Sequence, residues 1–352
     1  MELRQLEHFV AVAGEMSFSR AVQRAHVVQS ALSTSVGKLE KELGVELFDR
    51  TRQQIRLTPA GELFHTHATR VIQAARYAKD SIGNFRGELT GTVDLGALIT
   101  FGPLDVPKML GQFHREYPLV QIRLRQSQSG SNAYLSAIAD GTLDLALVSA
   151  PDRFPAGIQM RLLCQEPMMF VCRPDHRLAQ RRHVTVTELV DEHLIGFPPQ
   201  FSLRRIVEDA FTAAGVTAFT PHEVALEYAI AASLVHHGLG TIFMPASEAA
   251  QFPHLRALAV RPAIIWKIYL ASAEQSQLGP ASAQLAEHLV ASAPRSNELT
   301  QDIGAPLKAS ESGWRRMPRR LCRTRRGGAV DETLLFRKTV TVYATRICNG
   351  PT

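Results

Sequence analysis

SRAVQRAHVVQSALSTSVGKLEKE, residues 19–42, is the stretch on which the N-terminal fold turns. It reads as two helices. Ala21, Val22 and Ala25 make one apolar stripe, and Ala31, Leu32, Val36, Leu39 and Leu43 make a second at helical spacing. The break at residues 26–28 is too short for the helices to part, so they cross steeply. That is the pattern of a helix-turn-helix, whose second helix enters the DNA major groove. The outward positions of that helix are Gln29, Ser30, Ser33, Thr34, Gly37 and Lys38. All are small or hydrogen-bonding, as a surface pressed against base edges and phosphates requires.

Working outward, residues 2–14 form a first helix that buries Leu3, Leu6, Phe9, Val10 and Ala13, and Ser17 or Ser19 caps the next. Gly44 closes the recognition helix. Two short β-prone pieces, 46–48 and 54–57, flank a polar turn with Arg50, Arg52 and Gln53. A hairpin beside a helix-turn-helix is a wing, and its arginines, with Arg56, reach phosphates or a minor groove. The segments LRQLEHFVAVAGEMSFSRA (3–21), QSALS (29–33), LEKELGVELFDR (39–50) and LTPAGE (57–62) resemble the LysR-type transcriptional regulators without gaps, and the resemblance runs to about residue 293. It implies a winged helix-turn-helix, a long linker helix and a two-lobed, periplasmic-binding-protein-like α/β effector domain. Against the family pattern, Thr34 and Ser35 stand where many members carry longer Arg and Gln residues, and Ala25 replaces a larger aliphatic residue. Base readout then leans on Gln29, Ser30, Ser33 and the wing.

After the wing, Thr58 and Pro59 are the N-cap and first residue of a helix reaching about residue 87. Phe64, Ala68, Val71, Ala75, Ala78, Ile82 and Phe85 repeat at alternating steps of four and three, which is a coiled-coil seam. The same pattern also suits an amphipathic helix packed on its own domain. Directly behind a DNA-binding module, dimerisation is the expectation, because two half-sites need two modules at fixed spacing.

From residue 91 the pattern changes to alternating strands and helices, which predicts largely parallel sheets wrapped by helices. The strands are expected at 92–98, 120–126, 143–149, 167–173, 193–197, 222–226, 241–245 and 264–272, with a last helix at 280–293. The resulting domains are 1–58, the linker 59–88, and an effector domain 89–295, with lobe I at 91–161 and 266–293 and lobe II at 162–265. Ligands of open α/β sheets sit beyond the carboxyl ends of the strands, against helix N-termini. That rule selects Thr100 and Phe101, the serines Ser127, Ser129 and Ser131 around Gly130, and Phe201 with Ser202. Amides and hydroxyls there suit a carboxylate or another small anion, and the phenylalanines suit an apolar body. The same Ser and Thr residues also serve as ordinary N-caps. The resemblance points to these loops as the inducer cleft.

The net charge of +6 is not spread evenly. Residues 1–88 hold 12 Lys+Arg against 10 Asp+Glu, residues 89–299 hold 16 against 19, and residues 300–352 hold 11 against 4. The excess therefore sits in the tail, and DNA binding must rest on local placement of Arg20, Arg24, Lys38, Arg50, Arg52 and Arg56. RRMPRRLCRTRR (315–326) has no apolar period. The tail from 296 is expected to be disordered; it is either a basic arm adding phosphate affinity or sequence without a selected function.

Four cysteines without CxxC spacing fit a reducing cytosol. Cys164 and Cys172 resemble the paired thiols of peroxide-sensing members of the family, but no base or cation stands beside them to lower a pKa, and redox sensing is not expected. His236 and His237 are helix-end residues without a third metal ligand. With no catalytic, phosphate-loop or zinc motif, neither catalysis nor a cofactor or metal is expected. No apolar run spans a membrane and the N-terminus begins a helix, so a cytoplasmic protein is expected. The expected partners are operator DNA, a small-molecule inducer, further copies of the chain as a dimer and then a homotetramer, and RNA polymerase. A small-molecule clamp without a DNA role and a constitutive repressor with an unresponsive cleft are the alternatives.

Overall fold

A computed structural model of the protein describes residues 1–25, 27–50, 55–85, 87–126, 130–149, 156–224, 227–274 and 277–294. Helix α1 (Leu3–Glu15) buries Leu6, Phe9, Val12 and Ala13. Leu3, expected in that core, is exposed in the first turn of the helix. Helix α2 (Phe18–Ala25) is capped by Ser17, whose hydroxyl accepts from the Arg20 amide at 3.4 Å. Helix α3 (Gln29–Leu43) buries Leu32, Val36 and Leu39 and ends at Gly44, whose φ of 71° suits glycine. Ala31 and Leu43, at the two ends of the expected stripe, are exposed. Strands β1 (Phe48–Asp49) and β2 (Arg56–Leu57) pair antiparallel as a short wing.

Helix α4 (Pro59–Phe85) is 27 residues long. Thr58 is its cap: its hydroxyl accepts from the Gly61 amide at 3.0 Å and donates to the Glu46 carbonyl at 2.7 Å. The first part of α4 belongs to the N-terminal core. The Phe64 ring meets Phe9 edge-on at 5.2 Å, and Ala68 is buried with it. These two residues of the expected seam are therefore used inside the chain, since the helix must first close its own DNA-binding domain. Farther along, Val71, Ala78, Ile82 and Phe85 are exposed and Ala75 is half-buried.

The α/β part begins with β3 (Gly91–Ala97), α5 (Val106–Glu116), β4 (Val120–Gln126), α6 (Gly130–Ala139) and β5 (Leu145–Val148). Strand β3 pairs parallel with both β4 and β5, as strand–helix–strand crossovers require. The chain then crosses lobes within a single strand, β6 (Ile158–Cys172), longer than the expected 167–173. It is followed by β7 (His183–Thr185), a 3₁₀ turn at Val186–Leu189, β8 (Leu194–Gly196), α7 (Ser202–Ala213), β9 (His222–Glu223), α8 (Tyr228–His236), β10 (Thr241–Pro245), α9 (Ala246–Ala249) and β11 (Arg256–Arg261). Strand β12 (Ile265–Ala273) and α10 (Pro280–Ser292) return to lobe I.

Strand order is β4-β3-β5-β12-β6-β10-β8-β9, with β11 bridging β6 and β7. Residues 158–167 of β6 pair antiparallel with β12, and residues 168–172 pair antiparallel with β10 and β11. The two crossings are tied together where the Met168 amide donates to the Ile264 carbonyl at 2.8 Å. Each lobe is thus parallel at its outer strands, as the alternation predicts, and antiparallel where the chain crosses between lobes. Among the described residues no helix is long and apolar enough to cross a membrane, and no acidic, His or Cys cluster is placed to hold a metal.

Candidate functional site

Helix α3 presents Gln29, Ser30, Ser33, Thr34 and Lys38 to solvent, and Arg56 of the wing is exposed beside it. The α3 N-cap is Val28, whose side chain cannot accept a hydrogen bond, so the Gln29 and Ser30 amides have no side-chain cap, while the Ala31 amide bonds back to the Val28 carbonyl at 3.1 Å. An uncapped helix N-terminus ringed by Gln29 and Ser30 can take a phosphate oxygen.

The arginines divide. Arg50 sits 2.6 Å from Glu40 and lies over the Phe18 ring at 5.4 Å. The other Glu40 oxygen accepts the amides of Leu47 and Phe48 at 2.9 and 3.2 Å. Arg50 thus anchors the wing root to α3 before it can contact anything else. Arg20 is exposed, donates to the Glu15 carbonyl, and lies 3.7 Å from the Glu15 carboxylate. Arg52 and Gln53 fall outside the described residues, as do Ser127 and Ser129.

The second candidate site lies between the lobes. Two contacts close it. The Thr100 hydroxyl, after β3, donates to Glu248 of α9. Gly130, at φ 72° on the first turn of α6, packs so tightly on lobe II that a Cβ would stand 2.3 Å from the Gln200 carbonyl oxygen. Only glycine permits both that conformation and that approach. The cavity behind these contacts is small, about 30 Å³, so the lobes stand nearly closed on it.

The expected residues are only partly assembled there. Thr100, Ser131, Phe201 and Ser202 line the cleft. Ser131 is already engaged, since its hydroxyl accepts the Ser149 amide at 3.1 Å. Phe101 does not line the cleft; it packs against the main core, where its carbonyl accepts the Leu104 amide. The α7 cap is Phe201, so that helix also turns an uncapped first turn toward the space.

Residues outside the expectation matter at least as much. Tyr134, Ser149, Phe197, Tyr228 and Trp266 complete the wall. Ser149 Oγ, the Tyr228 hydroxyl and Trp266 Nε1 are buried without any hydrogen-bond partner. Behind them, Glu166 accepts the Ser247 amide at 2.7 Å and its hydroxyl at 2.8 Å. Burial lifts the Glu166 carboxyl above its ordinary range. Burial, then the charges of Glu248 and Glu166, push the Tyr228 phenol up, so it remains an O–H. Ser149 at the carboxyl end of β5 and Tyr228 at the start of α8 obey the same strand-end rule that selected Thr100. Trp266 carries no such local signal.

The buried thiols are inert by environment. Burial raises Cys164 to about 12 and Cys172 to about 11, with Glu166 and Glu192 adding to the respective shifts.

Comparison with known proteins places both regions. Residues 3–62 match the family described as bacterial regulatory helix-turn-helix protein, lysR family, and residues 86–294 match the LysR substrate binding domain. The chain is similar to the transcriptional dual regulator GltC of Bacillus subtilis, with 34% identity over 71% of this chain and 83% of GltC. It is equally similar, at 34% identity, to the regulator ShiR of Corynebacterium glutamicum over 56% of this chain, a match spanning 66% of ShiR. Its fold is that of a full-length OxyR variant from Pseudomonas aeruginosa, with a TM-score of 0.66 and 24% identity over 86% of this chain and 98% of that one. The regulator CbnR superposes with a TM-score of 0.58, also at 24% identity, over 84% of this chain and 100% of CbnR.

Proposed function

Given that this chain belongs to the LysR family of bacterial transcriptional regulators, we propose that it binds operator DNA through α3 and the wing and alters transcription when a small molecule occupies the cleft between its lobes. The observation that carries this reading is the pairing of an exposed, uncapped α3 with a separate closed cleft holding unpartnered donors. Neither feature serves the other locally, so one must read DNA and the other a ligand. Val71, Ala78, Ile82 and Phe85 supply the dimer seam, and a dimer of dimers spans the operator. RNA polymerase is the further partner, and the cytoplasm is the compartment in which all of these meet.

The mechanism is a population shift. A ligand that binds one closure state of the lobes better moves the equilibrium toward that state, and α4 carries the change to the paired DNA-binding modules. The test is footprinting on the DNA upstream of the protein's own gene, at stated salt, with the full chain and with a chain ending at Ala293. Protection of two or more helical turns by both supports the reading. Sequence-independent binding that needs the tail overturns it.

A further inference from the structure

Three of the five buried side-chain atoms without partners among the described residues, Ser149 Oγ, the Tyr228 hydroxyl and Trp266 Nε1, fall on one surface, the wall of the inter-lobe cleft. Buried polar groups are nearly always paired, because each left alone costs about 1–3 kcal/mol. Three on one wall mark a place where partners arrive from outside. Their chemistry restricts those partners. The Trp266 N–H can only donate, and the raised Tyr228 phenol keeps its proton. The incoming molecule must therefore bring acceptors.

The rest of the wall restricts its charge and shape. Phe197, Phe201, Tyr134 and Leu203 present apolar faces, and none of the described residues lining the cleft is Lys, Arg or His. The ionisable groups nearest Tyr228 are carboxyls, Glu166 and Glu248. An anion would lose several kcal/mol of hydration on entering such a space. Against that stand the starts of α6, α7 and α8, each worth about 0.3–1 kcal/mol, and the two carboxyls would repel it. A cation is disfavoured differently. Glu166 and Glu248 already accept from Ser247 and Thr100, and the N–H of Trp266 points the wrong polarity at it.

From this donor set on an apolar, cation-free wall, we infer that the effector is a small, uncharged, ring-bearing molecule with at least two hydrogen-bond acceptors, such as an aromatic amide, aldehyde or ketone, rather than the carboxylate the sequence suggested. This rests on the cleft being the effector site. The acceptors meet Tyr228, Trp266 and Ser149, and the ring lies against the apolar wall that includes Phe197 and Phe201. The cavity holds only about 30 Å³ as the lobes stand, so a ring enters as they part, in keeping with a ligand that selects one closure state.

The test is ligand-observed NMR on the full-length protein with matched fragments: benzamide, benzoate and benzylammonium, and the same three functions on a naphthalene ring. Tyr228→Phe and Ser149→Ala serve as controls. Each deletes an unpartnered hydroxyl, so each keeps or raises the stability of the free protein while removing a contact to ligand. The expected result is that amides bind about tenfold or more tightly than the carboxylates and amines, and that each substitution weakens amide binding about three- to tenfold. Carboxylates or amines that bind more tightly, and lose affinity in the two variants, would overturn the charge assignment while leaving the cleft as the site. Binding of no fragment, or binding unchanged in both variants, would overturn the cleft itself.

Discussion

Arg76 of the linker helix α4 and Asp144 at the foot of β5 form an ion pair at 2.8 Å, with the Asp144 side chain only 1% exposed. Asp144 also accepts from the Tyr77 hydroxyl, from Gln73 at 3.1 Å and from the Asp94 amide at 2.7 Å. Asp94 in turn is 2.8 Å from Arg125 on β4. One buried carboxylate therefore collects the donors of α4 and fixes that helix against lobe I. The opposite side of α4 is left free, with Ile82 and Phe85 exposed.

Asp144→Ala should destabilise the protein by about 2–3 kcal/mol, because removing one member of a buried ionic network strands its partners. The figure sits at or below the usual range for such breaks because a third of the Arg76 side chain is exposed. Urea unfolding followed by circular dichroism checks this. A loss under about 0.5 kcal/mol, the range of ordinary surface changes, would show that α4 is held on lobe I by other contacts.

Gly130→Ala should hold the lobes apart. The added methyl meets the Gln200 carbonyl at 2.3 Å, and the left-handed backbone adds about 1–2 kcal/mol of strain. Hydrogen exchange of the amides at the start of α7 should accelerate and effector response should fall, with operator binding retained. Unchanged exchange there would mean that α6 itself shifts to make room.

Lys38→Ala and Arg50→Ala should separate phosphate contact from architecture. Lys38 is exposed on α3, so its loss should weaken binding to all sequences alike and lower the salt slope by about one. Arg50 anchors the wing through Glu40, so Arg50→Ala should lower the melting temperature as well as the affinity. Mobility shifts at several salt concentrations, beside thermal unfolding, distinguish the two. Equal melting temperatures would show the Arg50–Glu40 pair to be idle.

Cys164 and Cys172 should resist alkylation in the folded protein at pH 8, since burial holds their thiols at about 12 and about 11. Peptide-level mass spectrometry after brief iodoacetamide exposure reads this directly, and unfolding should expose both. Both pKa values lie above the ordinary thiol value of 9.0, so the unfolded chain loses these protons first as pH rises. Stability should therefore be unaffected by these groups below pH 9 and fall between about 9 and 12. Rapid native labelling of either residue would reopen a redox role.

Thr100→Val removes the inter-lobe hydrogen bond to Glu248 and should abolish effector response with operator affinity unchanged. Reporter assays beside mobility shifts check both halves. Equal loss of the two activities would move Thr100 from the cleft into the general fold.

Local pattern was enough for much of this. The helical period of Leu32, Val36 and Leu39 set the recognition helix, Gly44 its end and Thr58 the start of the linker, because caps and faces are short-range physics. The alternation of strands and helices set the α/β class. The strand-end rule selected Thr100 and Ser202, which line the cleft, for the same reason. Partner choice lay beyond such patterns. Phe64 keeps the seam period but packs on Phe9, because which side of an amphipathic helix a domain claims depends on what folds beside it. Arg50 looks like any wing arginine until Glu40, ten residues earlier, holds it. Trp266 reaches the cleft only because β12 returns from lobe II to pair with β6, a juxtaposition of segments about a hundred residues apart. The charge of the cleft was decided there as well. Hydroxyls at helix starts suggest an anion, but the carboxyls of Glu166 and Glu248, remote in sequence from those hydroxyls, come to stand behind them. Electrostatics depends on distance in space, and the tertiary structure alone sets those distances.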